Sequence, residues 1–339
     1  MELSNKKFLL IGGAGFIGSH TAELLIKEDI KELLIYDNFT RGKIENLKNV
    51  IDDKRVKIFD LAGDICQPDL LDKSMEGIDG VFHYAALWLL HCQDYPASAF
   101  KTNIEGTFNV INSCIKHNVK KFVFSSSASV YGDAVFEPMT EEHPLNNKNF
   151  YGATKICGEA IINAYHHRYN MPYVGLRYMN VYGPRQDTKG AYVAVILKIL
   201  QNIKNNIEPT IYGDGSQSYD FISVRDCAKA NICAMKSNQN NGFYNVATGK
   251  KTSLLDLTKK ILNLKKSNLQ INFDKQKNSF VSNRVGSIEK AAKDLSFNYE
   301  IDLEAGLKDL IQWHDSVSYT HLRAHETVLD LVCRLLLEK

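Results

Sequence analysis

The sequence predicts an α/β fold: a doubly wound parallel sheet with a smaller α/β region that binds substrate. Two observations lead to this prediction. Short apolar runs alternate with helix-length segments through the first half of the chain, and a glycine-rich turn follows the first run. Apolar runs spaced in this way are typical of parallel strands covered on both faces. Right-handed crossovers join such strands into one sheet, which binds ligands beyond the carboxyl ends of its strands.

Six apolar runs are the predicted strands of this sheet. They are Phe8–Ile11, Leu33–Tyr36, Val56–Phe59, Gly80–His83, Lys121–Ser125 and Tyr173–Arg177. The later, less regular part of the chain has a predicted helix at Tyr192–Lys204, a strand at Thr210–Tyr212 and a helix at Ser253–Leu264. We therefore predict a sheet domain over residues 1–178 with return segments near 215–245. Residues 179–316 would form a mainly substrate-binding region.

Composition excludes several classes of protein. Charged residues make up 24% and hydrophobic residues 44% of the 339 residues, as in an ordinary soluble enzyme. A net charge of +2 does not indicate a nucleic-acid surface, and no apolar run approaches the roughly 20 residues that span a bilayer. Seven cysteines without C-x-x-C spacing, and a start without a signal peptide, favour a cytoplasmic protein with no metal site.

Residues 317–339 differ in composition from the rest of the chain. They contain no Asn, Ile, Gly or Phe. The stretch Val317–Leu322 also matches the conceptual translation of a transposon end used in sequencing libraries. We expect this segment to be a non-native, adapter-derived tail and exclude its histidines as site candidates. The alternative is a genuine amphipathic terminal helix.

The turn after the first strand is predicted to bind a dinucleotide. Gly12, Gly15 and Gly18 follow a strand and open a helix, which is the context that a phosphate-binding glycine motif requires. They permit a tight turn, a close approach to a pyrophosphate and close packing of the helix, whose N-terminus offers free N–H groups. Asp37 ends the second strand, where a carboxylate binds both ribose hydroxyls and repels a 2′-phosphate. The predicted cofactor is therefore NAD rather than NADP.

A tyrosine, a lysine and a serine form the candidate catalytic group. Tyr151 and Lys155 are four residues apart, which places a phenol and an ammonium on one helix face. Ser127 belongs to a hydroxyl cluster after the fifth strand, so it should reach the same crevice. A free tyrosine titrates near ~10, but Lys155 and a positive nicotinamide ring both favour the phenolate. The phenolate could take a proton from a substrate hydroxyl while a hydride leaves for NAD⁺.

Together, these motifs carry a family resemblance. In chain order they are Gly12-x-x-Gly15-x-x-Gly18, Asp37, Gly63-Asp-Ile65, His83-Tyr-Ala-Ala86, Asn103–Thr107, Ser125–Gly132, Tyr151-x-x-x-Lys155 and Arg177–Arg185. From residue 7 to about 316, the chain resembles the extended short-chain dehydrogenase/reductase family, in its NAD-dependent nucleotide-sugar epimerase/dehydratase branch. The run Asp37–Gly42 is similar to that of the UDP-glucose 4-epimerase-like group.

The resemblance implies a role for each candidate. Tyr151 would be the base, Lys155 its modulator and a ribose ligand, and Ser127 the third catalytic hydroxyl. The cofactor would contact Gly12, Gly15, Phe16, Ile17, Gly18, Asp37, Asn38, Asp64, Ile65, Tyr84, Ala85, Ala86, Asn103, Tyr151 and Lys155. The substrate, a nucleotide sugar, would contact Leu87, Ser127, Tyr151, Asn180, Tyr219 and Arg284. Asn103 could instead cap a helix, and Asn180 could be a turn residue. Family members pair helices across a dimer interface, which implies a homodimer.

Two departures bear on the reaction. Sugar 4,6-dehydratases of the family carry an Asp-Glu pair where this chain has Ala128 and Ser129, and neither of these can exchange protons with carbon. The resemblance therefore implies epimerisation at C4 through a transient 4-keto sugar. Tyr219 stands where the family usually has an arginine for the substrate diphosphate, and it offers a hydrogen bond without the charge.

Two other functions remain open from the sequence. One is an NAD-dependent reductase or dehydrogenase that acts on a nucleotide-linked keto sugar with net redox. The other is a non-catalytic NAD-sensing protein, whose signature would be loss of Tyr151 or Lys155; both residues are present.

Overall fold

The computed structural model describes residues 1–187, 194–275 and 283–316. The predicted tail at 317–339 and the predicted start of a helix at residue 192 lie outside the described residues.

The strands of the described chain fall into one large sheet and three small ones. They are β1 (Lys7–Ile11), β2 (Glu32–Tyr36), β3 (Val56–Ile58), β4 (Gly80–His83), β5 (Lys121–Ser127), β6 (Tyr173–Tyr178), β7 (Asn180–Tyr182), β8 (Thr210–Tyr212), β9 (Ser218–Tyr219), β10 (Phe221–Ser223), β11 (Phe243–Val246), β12 (Thr252–Ser253), β13 (Asn272–Asp274) and β14 (Asn283–Arg284). In the described residues the large sheet has seven strands in the order β11-β6-β5-β4-β1-β2-β3. All its pairings are parallel. The predicted doubly wound, Rossmann-like sheet is confirmed.

Helices cover both faces of this sheet and also build a smaller region beside it. In the described residues the helices are α1 (Phe16–Leu25), α2 (Pro68–Ser74), α3 (Leu89–Asp94), α4 (Pro96–Ala99), α5 (Thr107–Lys116), α6 (Phe150–Tyr169), α7 (Ala194–Lys204), α8 (Val224–Lys236), α9 (Leu254–Leu264), α10 (Glu289–Leu295) and α11 (303–316). Short 3₁₀ turns occur at Ile44–Leu47 and Ala128–Val130, and a π-helical segment at Phe100–Gly106.

Alternating side chains divide the core of the sheet into two layers. In β1, Phe8 and Leu10 belong to the cluster that includes residues of α1 and α8. Leu9 and Ile11 belong to the cluster that includes residues of α5 and α6. Because successive side chains of a strand point to opposite faces, an unbroken apolar run is needed to fill both layers.

The chain returns to the large sheet after β7 to β10. Helix α8 packs against α1, and β11 pairs with β6 as the edge strand. Strand β11 was not among the predicted apolar runs because Asn245 interrupts it. This residue is fully buried, and its side chain accepts a hydrogen bond from Tyr131 and donates one to the Met139 carbonyl.

The remaining elements form a smaller core beside the carboxyl ends of the strands. Residues of α7, α9 and α11 pack around Tyr182, which ends β7. Strand β9 pairs with β12 and β14, and β8 pairs with β13. This region forms the second wall of a cleft. Among the described residues, no helix has the length and apolar character needed to cross a bilayer.

Candidate active site

A cleft of about 1320 Å³ lies between the sheet and the smaller region. All but one of the predicted site residues line it. They are Gly12, Gly15, Phe16, Ile17, Gly18, Asp37, Asn38, Asp64, Ile65, Tyr84, Ala85, Ala86, Leu87, Ser127, Tyr151, Lys155, Asn180, Tyr219 and Arg284. The cleft therefore joins the predicted cofactor, catalytic and substrate positions in one space.

Asn103 is the candidate that does not line the cleft. It is buried, and its side-chain oxygen accepts a hydrogen bond from the Leu87 amide at 2.7 Å. Its amide nitrogen donates to the Leu87 carbonyl at 3.1 Å and to the Thr154 hydroxyl at 3.2 Å. Asn103 thus joins the loop after β4 to helix α6, and its contacts with the site are indirect.

The glycine turn has the shape that a pyrophosphate needs. Gly12 has a φ of +79°, and a Cβ there would lie 2.7 Å from the Ala85 amide nitrogen. A Cβ at Gly18 would lie 2.6 Å from the Gly12 carbonyl oxygen. Helix α1 begins at Phe16 with no side-chain cap and no acidic residue in its first turn. Its N-terminal N–H groups and positive dipole end therefore fit the phosphates of a dinucleotide.

Asp37 is held in place at the end of β2. Its carboxylate accepts hydrogen bonds from the amides of Ala14 and Phe39, both at 2.9 Å. Burial raises the pKa of Asp37, and these two N–H groups partly offset that effect. A Cβ at Gly42 would lie 2.7 Å from both carboxylate oxygens, so the loop after β2 packs closely over them. This fixed acidic group fits a ribose.

Two other predicted cofactor contacts, Asp64 and Tyr84, form hydrogen bonds within the protein. Asp64 accepts a hydrogen bond from the Cys66 amide at 2.9 Å, within its own turn. The Tyr84 hydroxyl donates to Thr21 of α1 at 3.0 Å, so it is turned towards the helix. Tyr84 still lines the cleft.

The catalytic candidates meet where β5 ends and α6 begins. Asn149 caps α6 by accepting a hydrogen bond from the Gly152 amide at 2.8 Å, which fixes the first turn that carries Tyr151. The Lys155 ammonium donates to the Ser125 carbonyl at 2.7 Å and lies 5.6 Å from the centre of the Tyr151 ring. Strand β5 continues through Ser127, further than predicted, and the Ser127 hydroxyl is hydrogen-bonded to the Tyr151 phenol.

The protein's own groups do not acidify the phenol; the expectation from sequence also counted the charge of the nicotinamide ring. Burial raises the pKa of Tyr151 to about 12; the bond to Ser127 and the charges of Arg41 and Arg284 lower it only in part. Burial also lowers the pKa of Lys155 to about 8. Desolvation thus penalises the charged forms of both side chains in the cofactor-free protein.

A buried ion pair lies behind the catalytic residues. The Arg177 guanidinium forms a bidentate salt bridge with Glu159: its Nε donates to Oε1 at 2.9 Å and its Nη2 to Oε2 at 2.7 Å. Both side chains are nearly inaccessible to solvent. Ser126 donates to the same carboxylate at 2.6 Å. Glu159 is one helical turn beyond Lys155 on α6, so the pair links this helix to the ends of β5 and β6.

The substrate candidates lie together on the opposite wall. Tyr219 and Arg284 are directly paired in the register of β9 and β14. The Asn180 side chain donates to the Asp220 carbonyl at 3.2 Å, next to Tyr219. A hydroxyl, a guanidinium and an amide therefore share this end of the cleft.

Comparisons with known proteins assign the family. The model of the NAD dependent epimerase/dehydratase family matches residues 8–247. This chain belongs to that family. A putative UDP-glucose 4-epimerase of Methanocaldococcus jannaschii is 36% identical over 311 residues, covering 90% of this chain and 97% of that protein.

Two solved structures extend the comparison. The UDP-N-acetylglucosamine 4-epimerase of Methanobrevibacter ruminantium, in complex with UDP-N-acetylmuramic acid, has a TM-score of 0.87 and 35% identity, covering 93% of this chain and 99% of that one. The Thermus thermophilus UDP-glucose 4-epimerase in complex with NAD has a TM-score of 0.81 and 27% identity, covering 91% and 98%. The predicted family and the predicted cofactor, NAD, are confirmed. The chain is an NAD-dependent enzyme of the nucleotide-sugar epimerase/dehydratase kind.

Two cleft or near-cleft residues of this family member, Arg41 and Glu159, had no predicted role. Arg41 lies within a motif that the sequence highlights, yet its partners come from other loops. Trp88 follows Leu87, a predicted substrate contact, and also lines the cleft. Glu159 could have been found from its position four residues after Lys155, on the same helix face.

Proposed function

We propose that this protein interconverts the C4 epimers of a nucleotide-linked sugar through a transient 4-keto intermediate, with Tyr151 as the base. The main observation behind the proposal is that Tyr151, Lys155 and Ser127 line the same cleft as the glycine turn. Ala128 and Ser129, in place of an acidic pair, favour epimerisation over dehydration. Relatives named as 4-epimerases support the same reaction.

The proton is handled by Tyr151 and Ser127. The Ser127 oxygen accepts the Ser129 amide at 3.1 Å, which leaves the proton of its own hydroxyl for the phenol or for a substrate oxygen. Tyr151 takes the proton of the sugar 4-hydroxyl and returns it when the ketone is reduced. When bound, NAD⁺ supplies the hydride acceptor for C4 and, as NADH, the hydride that returns to the opposite face.

Ionisation of Tyr151 depends on added positive charge. Because burial raises the pKa of this phenol to about 12, it is protonated at neutral pH in the protein alone. Lys155 is fixed by Ser125 at the same helix face, and a bound nicotinamide cation adds a second positive charge there. The base is thus expected to ionise in the oxidised holoenzyme and to be neutral once the ring has been reduced.

The substrate is proposed to be a UDP-linked sugar. Arg284 supplies a positive charge for the diphosphate, while Tyr219 supplies a hydrogen bond beside it. The relatives named as 4-epimerases above act on or bind UDP sugars, which supports this nucleotide, whereas the relatives named for dTDP-glucose are 4,6-dehydratases.

A homodimer is proposed through α5 and α6. Phe108 on α5 and Phe150 and Tyr169 on α6 expose 44%, 48% and 47% of their surfaces. Phe108 and Tyr165 are in ring contact across the two helices and Tyr165 contacts Tyr169, so these three aromatics belong to one surface. An exposed aromatic surface of this kind is typical of an interface. Light scattering after gel filtration should give twice the chain mass, and a monomer at micromolar concentration would contradict the proposal.

A panel of UDP sugars tests the reaction. The purified protein is incubated with UDP-glucose, UDP-N-acetylglucosamine and UDP-glucuronic acid without added NAD, and C4 epimers are separated by chromatography. Epimer formation with no lasting change in NADH absorbance supports the proposal. A continuous change in absorbance that requires added cofactor would instead indicate the net-redox reductase.

Tyr151→Phe tests the base. Its turnover should fall by about 10³-fold, since general acid–base catalysis typically contributes 10²–10⁴-fold. The NAD content of the purified variant serves as the control for an intact site. Turnover near that of the wild type would show that the phenol is not the base.

A further inference from the structure

Three loops that reach the cleft meet at one arginine. The Arg41 guanidinium, from the loop after β2, lies 4.0 Å above the Trp88 ring, from the loop after β4. Its Nε and Nη2 atoms donate to one oxygen of Asp187, in the segment after β7, at 3.1 and 2.9 Å. All three residues line the cleft. We call this group the Arg41 clasp.

The cofactor-side loops of the clasp are anchored on parts of the NAD site. In the loop that carries Arg41, the Lys43 amide and the Asn46 side chain both donate to the Ala14 carbonyl of the glycine turn, at 3.2 and 2.9 Å. Gly42 packs against the Asp37 carboxylate. Trp88 follows Leu87, whose backbone is held by Asn103. The clasp therefore spans from the cofactor side of the cleft to the smaller region.

The positive charge of Arg41 also affects the ionisation of Tyr151. It is one of the groups that lower the pKa of the Tyr151 phenol against the larger effect of burial. The guanidinium is therefore close enough to the phenol for its charge to act there. Its side chain is 31% exposed and that of Asp187 is 22% exposed, so water screens the pair only in part.

We propose that the Arg41 clasp closes the cleft over bound NAD and slows its release. Release would require the three loops to separate, which breaks the ion pair with Asp187 and the stacking on Trp88. The inference needs only NAD binding, and it is independent of the proposed epimerase reaction.

Exchange of bound NAD tests the clasp without measuring turnover. Protein loaded with NAD is mixed with an excess of isotopically labelled NAD, and the bound nucleotide is followed by mass spectrometry. Arg41→Ala should exchange about tenfold faster than the wild type, equivalent to about 1.4 kcal/mol, since it loses a cation–π contact and a half-shielded ion pair. Arg41→Lys keeps the charge but loses the planar fork, so it should fall between the two.

Asp187→Asn separates the clasp from a direct contact between Arg41 and the nucleotide. The clasp predicts faster exchange, by about threefold, because the loss of one ion pair loosens the closed loops. If Arg41 bound the phosphates directly, freeing it from Asp187 would leave exchange unchanged or make it slower. That result would overturn the proposal, as would a wild-type rate for Arg41→Ala.

Arg225→Ala is the matched control. Arg225 forms an ion pair with Asp309 at 2.7 Å, and its side chain is outside the cleft lining. This variant also loses an Arg–Asp pair, yet its exchange rate should equal that of the wild type. An equal acceleration in Arg225→Ala and Arg41→Ala would assign the effect to general loosening of the fold and would contradict the clasp.

Discussion

Lys155→Met should make the NAD-free protein more stable while it abolishes turnover. Lys155 is 5% exposed, and burial lowers its pKa to about 8 from the ordinary 10.5. The folded protein therefore holds a charged group in an environment that disfavours the charge. Methionine has a similar length and no charge, so it removes that penalty while keeping the packing.

The size of the effect follows from the pKa. At about 1.4 kcal/mol for each pH unit, the difference between 10.5 and about 8 corresponds to about 3 kcal/mol of unfavourable free energy at pH 7. Methionine leaves the Ser125 carbonyl without its 2.7 Å donor, which costs about 1–2 kcal/mol. The free energy of unfolding at pH 7 should therefore rise by about 1–2 kcal/mol.

The effect of Lys155→Met on stability should depend on pH. Between about pH 8 and 10.5 the unfolded wild type binds more protons at this lysine than the folded wild type, so its stability rises with pH. The variant has no such group. Its advantage should be complete below pH 8, shrink through this window and become a deficit of about 1–2 kcal/mol above pH 10.5, where only the lost hydrogen bond to Ser125 remains.

Urea unfolding of both proteins, stripped of nucleotide, at pH 7 and pH 10 measures this difference. Lys121→Met is the matched control, because Lys121 is 3% exposed, has a pKa lowered by burial to about 8 and bonds the Ser237 carbonyl away from the cleft lining. It should show the same pH-dependent gain and keep its turnover. A Lys155→Met protein that is less stable than the wild type at pH 7, or a difference independent of pH, would refute the reasoning.

Three further predictions concern single positions. Ser127→Ala should lose about 100-fold in turnover at unchanged NAD content, since a proton-sharing hydroxyl is removed; turnover within twofold of wild type would exclude that role. Gly12→Ala should bind NAD at least tenfold more weakly by calorimetry, because a Cβ there meets the Ala85 amide at 2.7 Å and the φ is +79°; Gly77→Ala, also at positive φ but with open space around it, is the control for strain alone. Glu159→Gln should destabilise the protein by about 3 kcal/mol in urea, because Arg177 keeps a buried charge without its partner; a change below 1 kcal/mol would contradict this.

The strands of the sheet were predictable where burial on both faces demands continuous apolar runs. Strands β1 to β6 match such runs, whereas β11 carries Asn245, whose buried side chain is satisfied by residues distant in sequence. A polar residue that is bonded only in the folded chain gives no signal in a hydrophobicity pattern.

The positions that line the cleft were predictable from motifs, but their electrostatics were not. Glycine spacing and the Tyr151–Lys155 pair locate the site, because both depend on local geometry. The raised pKa of Tyr151 depends on burial by the whole fold. The contact between Arg41 and Asp187 joins residues 146 positions apart, so no local pattern could indicate it.

Helix α6 carries the phenol, the ammonium and the buried carboxylate Glu159 at intervals of four residues. The spacing along the helix between Tyr151, which transfers the proton, and Glu159, which binds Arg177, is thus set by the helical pitch. Point substitutions hardly alter that pitch. Evolution of a new sugar preference should therefore leave this helix untouched and act on the surrounding loops. Enzymes engineered from this scaffold could exchange those loops and inherit the reaction unchanged.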